Sequence, residues 1–359
     1  MATLREKIGQ MLMVGCQGKS LGREEQSIIR RCGFGGFILF GDNCCDPGQM
    51  VSLCRSLWES ATARPPFIAI DQEGGRVHRL PCPFTHFPAA QWIGTKADPN
   101  IAYQAGRATA AELALVGINL DFAPVLDVNS NPTNPVIGDR SFAANPAQVI
   151  ESAEPWIRGL RDGGIIPCGK HFPGHGDTDK DSHIDLPVVD KSLNELRAVE
   201  FPPFIHACQD RIESLMTAHV VYPALDSKFP ATLSHRIVTE LLRQQWGYEG
   251  VVFSDDMEMR AISDHYGEEE AVALCVRAGV NMLLYGHELP RALRAFEFLC
   301  SEAERDPAMR AQVEQSHSRI TAVKELFLRG FSGVPEAEIV GRLAQFDHQR
   351  WVDEIQGNL

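Results

Sequence analysis

The chain has 359 residues, of which 44% are hydrophobic and 23% charged, and its formal net charge at pH 7 is -13. This composition is typical of a folded globular protein and argues against a disordered chain. The excess of acidic residues, without a dense run of Lys or Arg, argues against nucleic acid as a partner. The sequence contains no run of about 18 apolar residues, so it predicts no membrane span.

Eight short runs of apolar, β-branched or aromatic residues follow one another along the chain. Such runs are typical of strands that are buried on both faces, as the strands of parallel sheets are. The runs are MLMVG (11–15), GFILF (36–40), FIAID (67–71), LDFAPVLDV (120–128), IIPCGKHF (165–172), SLMTAHVVY (214–222), GVVFSDD (250–256) and NMLLYG (281–286).

Segments with helical spacing of apolar residues lie between these runs, and several of them close on Gly, as helices often do. They include 23–32, 47–61, 100–117, 146–164, 235–246 and 268–279. Eight strands that alternate with helices are what a (β/α)8 barrel requires. We therefore predict an α/β fold, a TIM-like barrel in one domain over residues 1–359, with closing helices from about 289 to 359.

A doubly wound open sheet is the alternative fold, but it usually has fewer strands and carries a glycine-rich phosphate turn. The sequence GFGG at 33–36 precedes a predicted strand instead of following one, so it lacks the strand, turn and helix order of such a turn.

The ten cysteines show no CxxC pair, and several of them, such as Cys168, Cys208 and Cys275, lie in apolar segments. This usage indicates reduced thiols that pack in the core. The first ten residues, MATLREKIGQ, lack the basic and apolar parts of a secretion signal. These observations lead us to expect a reducing, cytoplasmic location.

Polar residues gather at the C-terminal ends of the predicted strands, which form the functional face of a barrel. The third, fifth, sixth and seventh runs each contribute, with Asp71, Glu73, Arg76, Arg79, Lys170, His171, His219, Asp255 and Asp256. Each has a structural alternative, because a strand-end Asp often caps a helix and a carboxylate near an Arg often forms only an ion pair.

The stretch KHFPGHGDTDKDSH (170–183) is compatible with two kinds of chemistry. His171 and His175 have the HxxxH spacing of metal ligands on a helix, but Pro173 and the neighbouring glycines break any helix there. Asp181 and His183, two residues apart, suit an acid-base dyad in which the carboxylate holds the imidazole. We favour the dyad, with the glycines letting the loop move over a ligand, and we keep a metal site as the alternative.

A carboxylate at the end of a strand, such as Asp255, is a candidate nucleophile because a rigid element holds it in place.

At these residues the sequence resembles glycoside hydrolase family 3, and specifically its single-domain bacterial β-N-acetylglucosaminidases of peptidoglycan recycling. Four motifs occur in the family's order, and the resemblance covers about residues 4 to 330. They are DQEGGRVHRL (71–80), GDRSF (138–142), KHFPGHGDT with DSH (170–183) and GVVFSDDMEM (250–259).

The resemblance implies a retaining double displacement on a substrate with terminal N-acetylglucosamine. Asp255 then attacks the anomeric carbon, and His183 protonates the leaving oxygen and later deprotonates water, with Asp181 as its partner. Retaining glycosidases usually use two carboxylates for this work. An imidazole acid leaves only one essential carboxylate ionised beside the cationic transition state.

The resemblance also implies a sugar-binding set that holds hydroxyl groups of the terminal residue, without a metal or other cofactor. Its members are Asp71, Arg79, Arg140, Lys170 and His171. The alternative for the set is an ion-pair lattice beneath the pocket.

Other functions stay open at this point. They are a β-glucosidase or glycoside phosphorylase on the same scaffold, a metal-dependent hydrolase and a sugar-binding protein without turnover. The segment LPCPFTHFPAAQW (80–92) is not diagnostic, so the aglycone side of the pocket is undecided.

Overall fold

Eight parallel strands close into a barrel in the order of the chain, which confirms the predicted (β/α)8 fold. The structure is a computed structural model, and it describes residues 2–178 and 186–357. The strands are β1 Leu12–Gly15, β2 Gly36–Leu39, β3 Phe67–Ile70, β4 Leu120–Asp121, β5 Ile166–Phe172, β6 Ser214–Thr217, β7 Val251–Asp256 and β8 Met282–Tyr285.

The strand β4 is much shorter than the apolar run 120–128 that predicts it. Pro124 has no N–H group to give to a neighbouring strand, and beyond it Val125 keeps only an isolated parallel bridge to Lys170. The rest of the run continues as a buried irregular segment towards Asp127.

Helices surround the barrel, and all six helices quoted from the sequence are present. The α-helices of the described residues are α1 Leu4–Gly9, α2 Arg23–Cys32, α3 Pro47–Ser60, α4 Ala90–Thr95, α5 Pro99–Val116, α6 Pro146–Asp162, α7 Leu193–Ala198, α8 Phe201–Gln209, α9 Arg260–Ser263, α10 Glu268–Ala278, α11 Leu289–Arg305, α12 Pro307–Phe327, α13 Glu336–Leu343 and α14 His348–Gln356. The predicted helix 235–246 forms as a π-helix over Arg236–Gln245, a distinction that apolar spacing does not make.

The ends of α5 show why the helices begin and stop where they do. Asp98 accepts a hydrogen bond from the backbone N–H of Asn100, and Pro99 occupies the first helical position, where no N–H is needed. Gly117 ends the helix at φ 88°, a left-handed conformation that glycine adopts without steric cost.

Aromatic rings fill the barrel interior. The ring centroid of Phe253 on β7 lies 6.0 Å from that of Phe67 on β3 and 5.3 Å from that of Phe122. Since β3 and β7 are not neighbouring strands, these contacts cross the barrel. The interior is therefore a packed core, and the polar chemistry is confined to the two ends.

A lysine is buried at the N-terminal end of the barrel. Lys324 of α12 is 2% exposed, and its Nζ donates to Oε1 of Gln10 and to the carbonyl of Gly35, both at 2.7 Å. The same Nζ lies 4.8 Å from the ring centroid of Phe67. Burial, with the nearby charge of Arg64, lowers the pKa of Lys324 well below its usual value.

The segment 80–92, which is not diagnostic in the sequence, is held by hydrogen bonds to a buried glutamate of α5. Buried Glu112 of α5 accepts hydrogen bonds from the backbone N–H of Thr85 at 3.0 Å and from its hydroxyl at 2.5 Å. His348 of α14 reaches the same carboxylate, with its Nδ1 3.0 Å from Oε1. The segment is thus tied to α5 and to the last helix.

All ten cysteines are free thiols, in agreement with the prediction from the sequence. Across residues 2–178 and 186–357, the structure contains no helix with both the length and the apolar character that crossing a membrane requires.

Candidate active site

A pocket of about 390 Å³ opens at the C-terminal ends of the strands. Six of the eight site residues chosen from the sequence line it, and they come from β3, β5, β7 and the loop after β4. They are Asp71, Arg79, Arg140, Lys170, His171 and Asp255. The other two, Asp181 and His183, lie outside the described residues.

Lys170 lies between two carboxylates on one wall of the pocket. Its Nζ is 2.5 Å from Oδ1 of Asp71 and 2.6 Å from Oε1 of Glu73. Burial alone would lower the pKa of this lysine, but the two carboxylates outweigh burial and raise it. Lys170 is therefore a fixed positive charge at the pocket wall.

Glu73 links Lys170 to Arg140, which sits on the 3-10 turn Gly138–Arg140. Nε and Nη2 of Arg140 donate to the two carboxylate oxygens of Glu73, both at 2.8 Å. Burial works against ionisation of Glu73, but the charges of Arg140 and Lys170 hold the pKa of this carboxyl well below its usual range. The sequence marks Glu73 only as a strand-end residue, and the structure makes it the centre of the charged wall.

We call the set Asp71, Glu73, Arg140 and Lys170 the charged cradle. Its two positive and two negative formal charges cancel, so no buried charge is left uncompensated without a ligand. Its polar groups still line the pocket, where they can donate and accept charge-assisted hydrogen bonds with hydroxyl groups.

Asp127 is fully buried behind His171, and it is a functional residue that the sequence analysis missed. Its carboxylate accepts hydrogen bonds from the backbone N–H groups of His171 and His175 and lies 2.7 Å from Nδ1 of His171. Burial would raise the pKa of Asp127, but the interaction with His171 outweighs burial and lowers it. A polar residue inside the apolar run VLDV was the available signal.

This arrangement fixes the orientation of His171. An ionised carboxylate only accepts, so Nδ1 of His171 carries the hydrogen that faces Asp127. The other ring nitrogen, Nε2, is then directed at Nη2 of Arg140, 3.5 Å away. His171 therefore lies beside Arg140 of the charged cradle.

Two glycines after His171 are packed tightly. A Cβ on Gly176 would lie 1.6 Å from the carbonyl oxygen of Val128, and one on Gly174 would lie 2.7 Å from Cβ of Glu200. Gly174 also has φ +134°. Close approach of the Val128 backbone accounts for Gly176, and the Glu200 side chain together with the positive φ accounts for Gly174. The hinge inferred from residue type stays a prediction.

Gln72 holds the loop that carries Arg79. The backbone N–H of Gln72 donates to buried Asp121, and its side-chain oxygen accepts from the backbone N–H of Arg79, both at 2.9 Å. Its Nε2 donates to Nδ1 of His78 at 2.7 Å. Burial, with the neighbouring His86, lowers the pKa of His78 to about 4, which keeps Nδ1 available as an acceptor.

Asp255 is the second-last residue of β7 and lines the pocket, and its Oδ1 accepts a hydrogen bond from the backbone N–H of Asp256 at 2.8 Å. Asp256 is itself anchored, because its carboxylate accepts from the backbone N–H groups of Glu258 and Gly286. Burial, followed by the charge of Glu258, raises the pKa of Asp256 to about 7.

His219 is fully buried beneath this strand end. Its Nε2 donates to the backbone carbonyl of Asp256 at 2.9 Å, and its Nδ1 lies 2.8 Å from the hydroxyl of Thr232. Of the strand-end residues singled out in the sequence, His219 supports the backbone beside Asp255 and does not line the pocket.

His175 lines the pocket, and its Nδ1 lies 2.9 Å from the hydroxyl of Thr178. Burial, with the charge of His171, lowers its pKa to about 4. Within the described ranges, no group of three or more His, Cys, Asp or Glu side chains is arranged to hold a metal ion.

Comparisons with known proteins agree with the fold and the motifs. A family model for the glycosyl hydrolase family 3 N-terminal domain matches residues 3–323. A beta-hexosaminidase of Alkalilimnicola ehrlichii is 38% identical over 293 residues, which are 79% of this chain and 83% of that protein. One from Tolumonas auensis is 36% identical over 304 residues, covering 84% of this chain and 89% of that protein.

A solved structure shows the same likeness in three dimensions. The glycoside hydrolase family 3 beta-N-acetylglucosaminidase from Paenibacillus sp. str. FPU-7 superposes with a TM-score of 0.89 at 36% sequence identity. The match covers 96% of this chain and 68% of that one.

Proposed function

This chain belongs to glycoside hydrolase family 3, and from that premise we propose that it is a retaining, exo-acting β-N-acetylglucosaminidase. As a family member it is a glycoside hydrolase. The finer proposal is that it removes terminal N-acetylglucosamine from peptidoglycan fragments in the cytoplasm. Relatives named beta-hexosaminidase and the charge of the pocket support the hexosaminidase activity. The peptidoglycan fragments and the cytoplasm rest on the motif resemblance and on the cysteine usage of the sequence.

The observation that carries the proposal is the position of Asp255 in one pocket with the charged cradle. The pocket, about 390 Å³, is at the small end of the usual range for ligand sites, which suits removal of a terminal unit. In the proposed mechanism the cradle, Arg79 and His171 hold the hydroxyl groups of that unit. Asp255 attacks the anomeric carbon and forms a covalent glycosyl ester.

Proton transfer in this mechanism belongs to Asp181 and His183. His183 protonates the leaving oxygen in the first step and takes a proton from water in the second, while Asp181 orients the imidazole. Both residues lie outside the described ranges, so their roles depend on the sequence motif alone.

The substrate is tested with aryl glycosides. We expect the nitrophenyl N-acetyl-β-glucosaminide to be cleaved with a higher kcat/KM than the matching β-glucoside. Faster cleavage of the plain glucoside would overturn the substrate assignment and favour a β-glucosidase.

The catalytic roles are tested by Asp255→Ala and His183→Ala on aryl glycosides whose leaving groups differ in acidity. Asp255→Ala removes the nucleophile, and we expect a loss of at least about 10⁴-fold on every substrate. His183→Ala removes only proton donation to the leaving group, so good leaving groups should lose far less than poor ones. Equal loss on all leaving groups would contradict the role of His183.

Three rival functions predict different results in the same assay. A metal-dependent hydrolase loses activity on prolonged chelation and regains it with added metal, whereas we expect no change. A phosphorylase releases sugar phosphate when phosphate is added, whereas we expect free N-acetylglucosamine at an unchanged rate. A binding protein without turnover retains N-acetylglucosamine but releases no nitrophenol.

A further inference from the structure

One part of the pocket wall is aromatic, and it is built from residues that follow the second and the eighth strands. Phe40 follows β2, and His287 follows β8. Their ring centroids are 4.6 Å apart and their planes differ by 21°, which is a stacked arrangement. Both residues line the pocket, together with Met259 and Asp255. We call this pair the Phe40–His287 stack.

The stack lies beside the residue that follows the nucleophile. Nε2 of His287 is 4.0 Å from Oδ2 of Asp256. The Phe40 ring covers Gly286, since a Cβ on this glycine would lie 2.8 Å from Cζ of Phe40 and 2.6 Å from Oδ2 of Asp256. Leu39 pairs with Ile70, so Phe40 stands next to Asp71 at one edge of the charged cradle. His287 follows β8, the strand beside β7, which carries Asp255.

The backbone of both residues is held in place by hydrogen bonds. Buried Asn43 accepts from the backbone N–H of Phe40 and donates to the carbonyls of Cys16 and Gly18, which fixes the end of β2 to the end of β1. Glu258 accepts from the backbone N–H groups of His287 and Glu288, both at 2.7 Å.

Despite this support, the stack is open to the pocket mouth. The side chain of His287 keeps 66% of its surface exposed, and that of Phe40 is half-buried. An aromatic surface that lies on an anchored backbone and is left open to solvent suits a ligand with a flat apolar face. The C–H face of a pyranose ring is such a surface.

We propose that the Phe40–His287 stack is the platform for the aglycone, the unit attached to the terminal sugar through the scissile bond. The inference rests on the proposed function, and it adds a substrate preference to it. The enzyme favours leaving groups with a ring, a second sugar or an aryl group, over leaving groups without one.

The test compares two substrates that share the terminal sugar. N,N′-diacetylchitobiose has a sugar as its leaving group, whereas N-acetyl-β-glucosaminyl fluoride has a leaving group too small to reach the stack. The measured quantity is the ratio of kcat/KM for the disaccharide to kcat/KM for the fluoride. Loss of one aromatic partner should lower this ratio by about tenfold.

The variants are Phe40→Ala and His287→Ala, with Phe40→Leu as a version that keeps apolar bulk without the flat face. His287→Phe keeps a flat ring and should restore most of the ratio. The matched control is Phe346→Ala, which breaks the stack of Phe346 on His348 outside the pocket. The ring centroids of this second stack are 4.5 Å apart, and the interplanar angle is 19°. This control should leave the ratio as in the unmodified protein.

The outcomes separate the two proposals. Cleavage of the fluoride together with an unchanged ratio in Phe40→Leu and His287→Ala would overturn the platform and leave the proposed function standing. Failure of the unmodified protein to cleave either substrate would overturn the proposed function, and the platform with it. A lowered ratio that His287→Phe restores supports the platform.

Discussion

Two lysines are buried to the same extent at opposite ends of the barrel, and their surroundings differ in kind. Lys170 and Lys324 are each 2% exposed. Lys170 faces two carboxylates at the pocket and has a raised pKa, whereas Lys324 meets only a side-chain amide oxygen, a backbone carbonyl and an aromatic ring and has a lowered pKa.

The difference shows how the two ends of the fold are used. At the pocket end, opposite charges are kept close together and within reach of a ligand, which is costly to maintain and useful for binding polar groups. At the other end, one amine serves as a hydrogen-bond donor inside a packed layer. Similar burial therefore does not indicate a similar role, because the groups that contact each lysine determine its role.

The largest expected effect is on activity at the pocket end. Lys170→Met leaves Asp71 and Glu73 without a shared cation, so we expect kcat/KM to fall by about 10³-fold and the free energy of unfolding by about 3–5 kcal/mol. The matched control is Lys324→Met, the same substitution at the other end, for which kcat/KM should stay within about twofold. Comparable activity loss in the two variants would remove the functional contrast.

The second prediction concerns how stability depends on pH. The pKa of Lys324 is lower in the folded protein than its ordinary 10.5, so between these two values the unfolded chain binds more protons. Stability from this group therefore rises with pH in that window, by at most about 1.4 kcal/mol per pH unit, and is flat below it. Lys170 has a raised pKa, so its contribution is complete below 10.5 and declines only at higher pH.

Denaturant unfolding from pH 7 to 10 measures this effect as the difference between the unmodified protein and Lys324→Met. The difference in the free energy of unfolding should shift in favour of the unmodified protein as pH rises. A difference that does not change with pH would mean that Lys324 keeps its proton in the folded state.

The smallest effect is the stability of Lys324→Met at pH 7. The carbonyl of Gly35 keeps its bond from the backbone N–H of Phe67, so only the Gln10 oxygen loses its partner. We expect a loss of about 1–2 kcal/mol in the free energy of unfolding. A loss as large as that of Lys170→Met would indicate that Lys324 is an essential charge.

The fold was predictable from the sequence because buried parallel strands leave continuous apolar runs. Each of the eight runs contains a strand, and the polar residues at the ends of FIAID, IIPCGKHF and GVVFSDD converge on one pocket. Strand ends are predictable because barrel geometry brings them to one face, wherever they lie in the sequence.

The parts that escaped prediction depend on contacts between distant segments. Nothing local in VLDV indicates that Asp127 accepts bonds from the backbone of His171 and His175. The sequence does not indicate that the rings of Phe40 and His287 stack, because closure of the barrel brings them together. The residue type of Gly176 does not reveal that the carbonyl of Val128 lies against it.

The two walls of the pocket also differ in when they can form during synthesis. The charged cradle is drawn from β3 to β5, so all of its residues have been made once the chain reaches Lys170. The Phe40–His287 stack joins residues that follow the second and the eighth strands, and it requires β8 to pair with β1. Because chains emerge from the N-terminus and long-range pairing is slow, we expect the aromatic wall to be completed last.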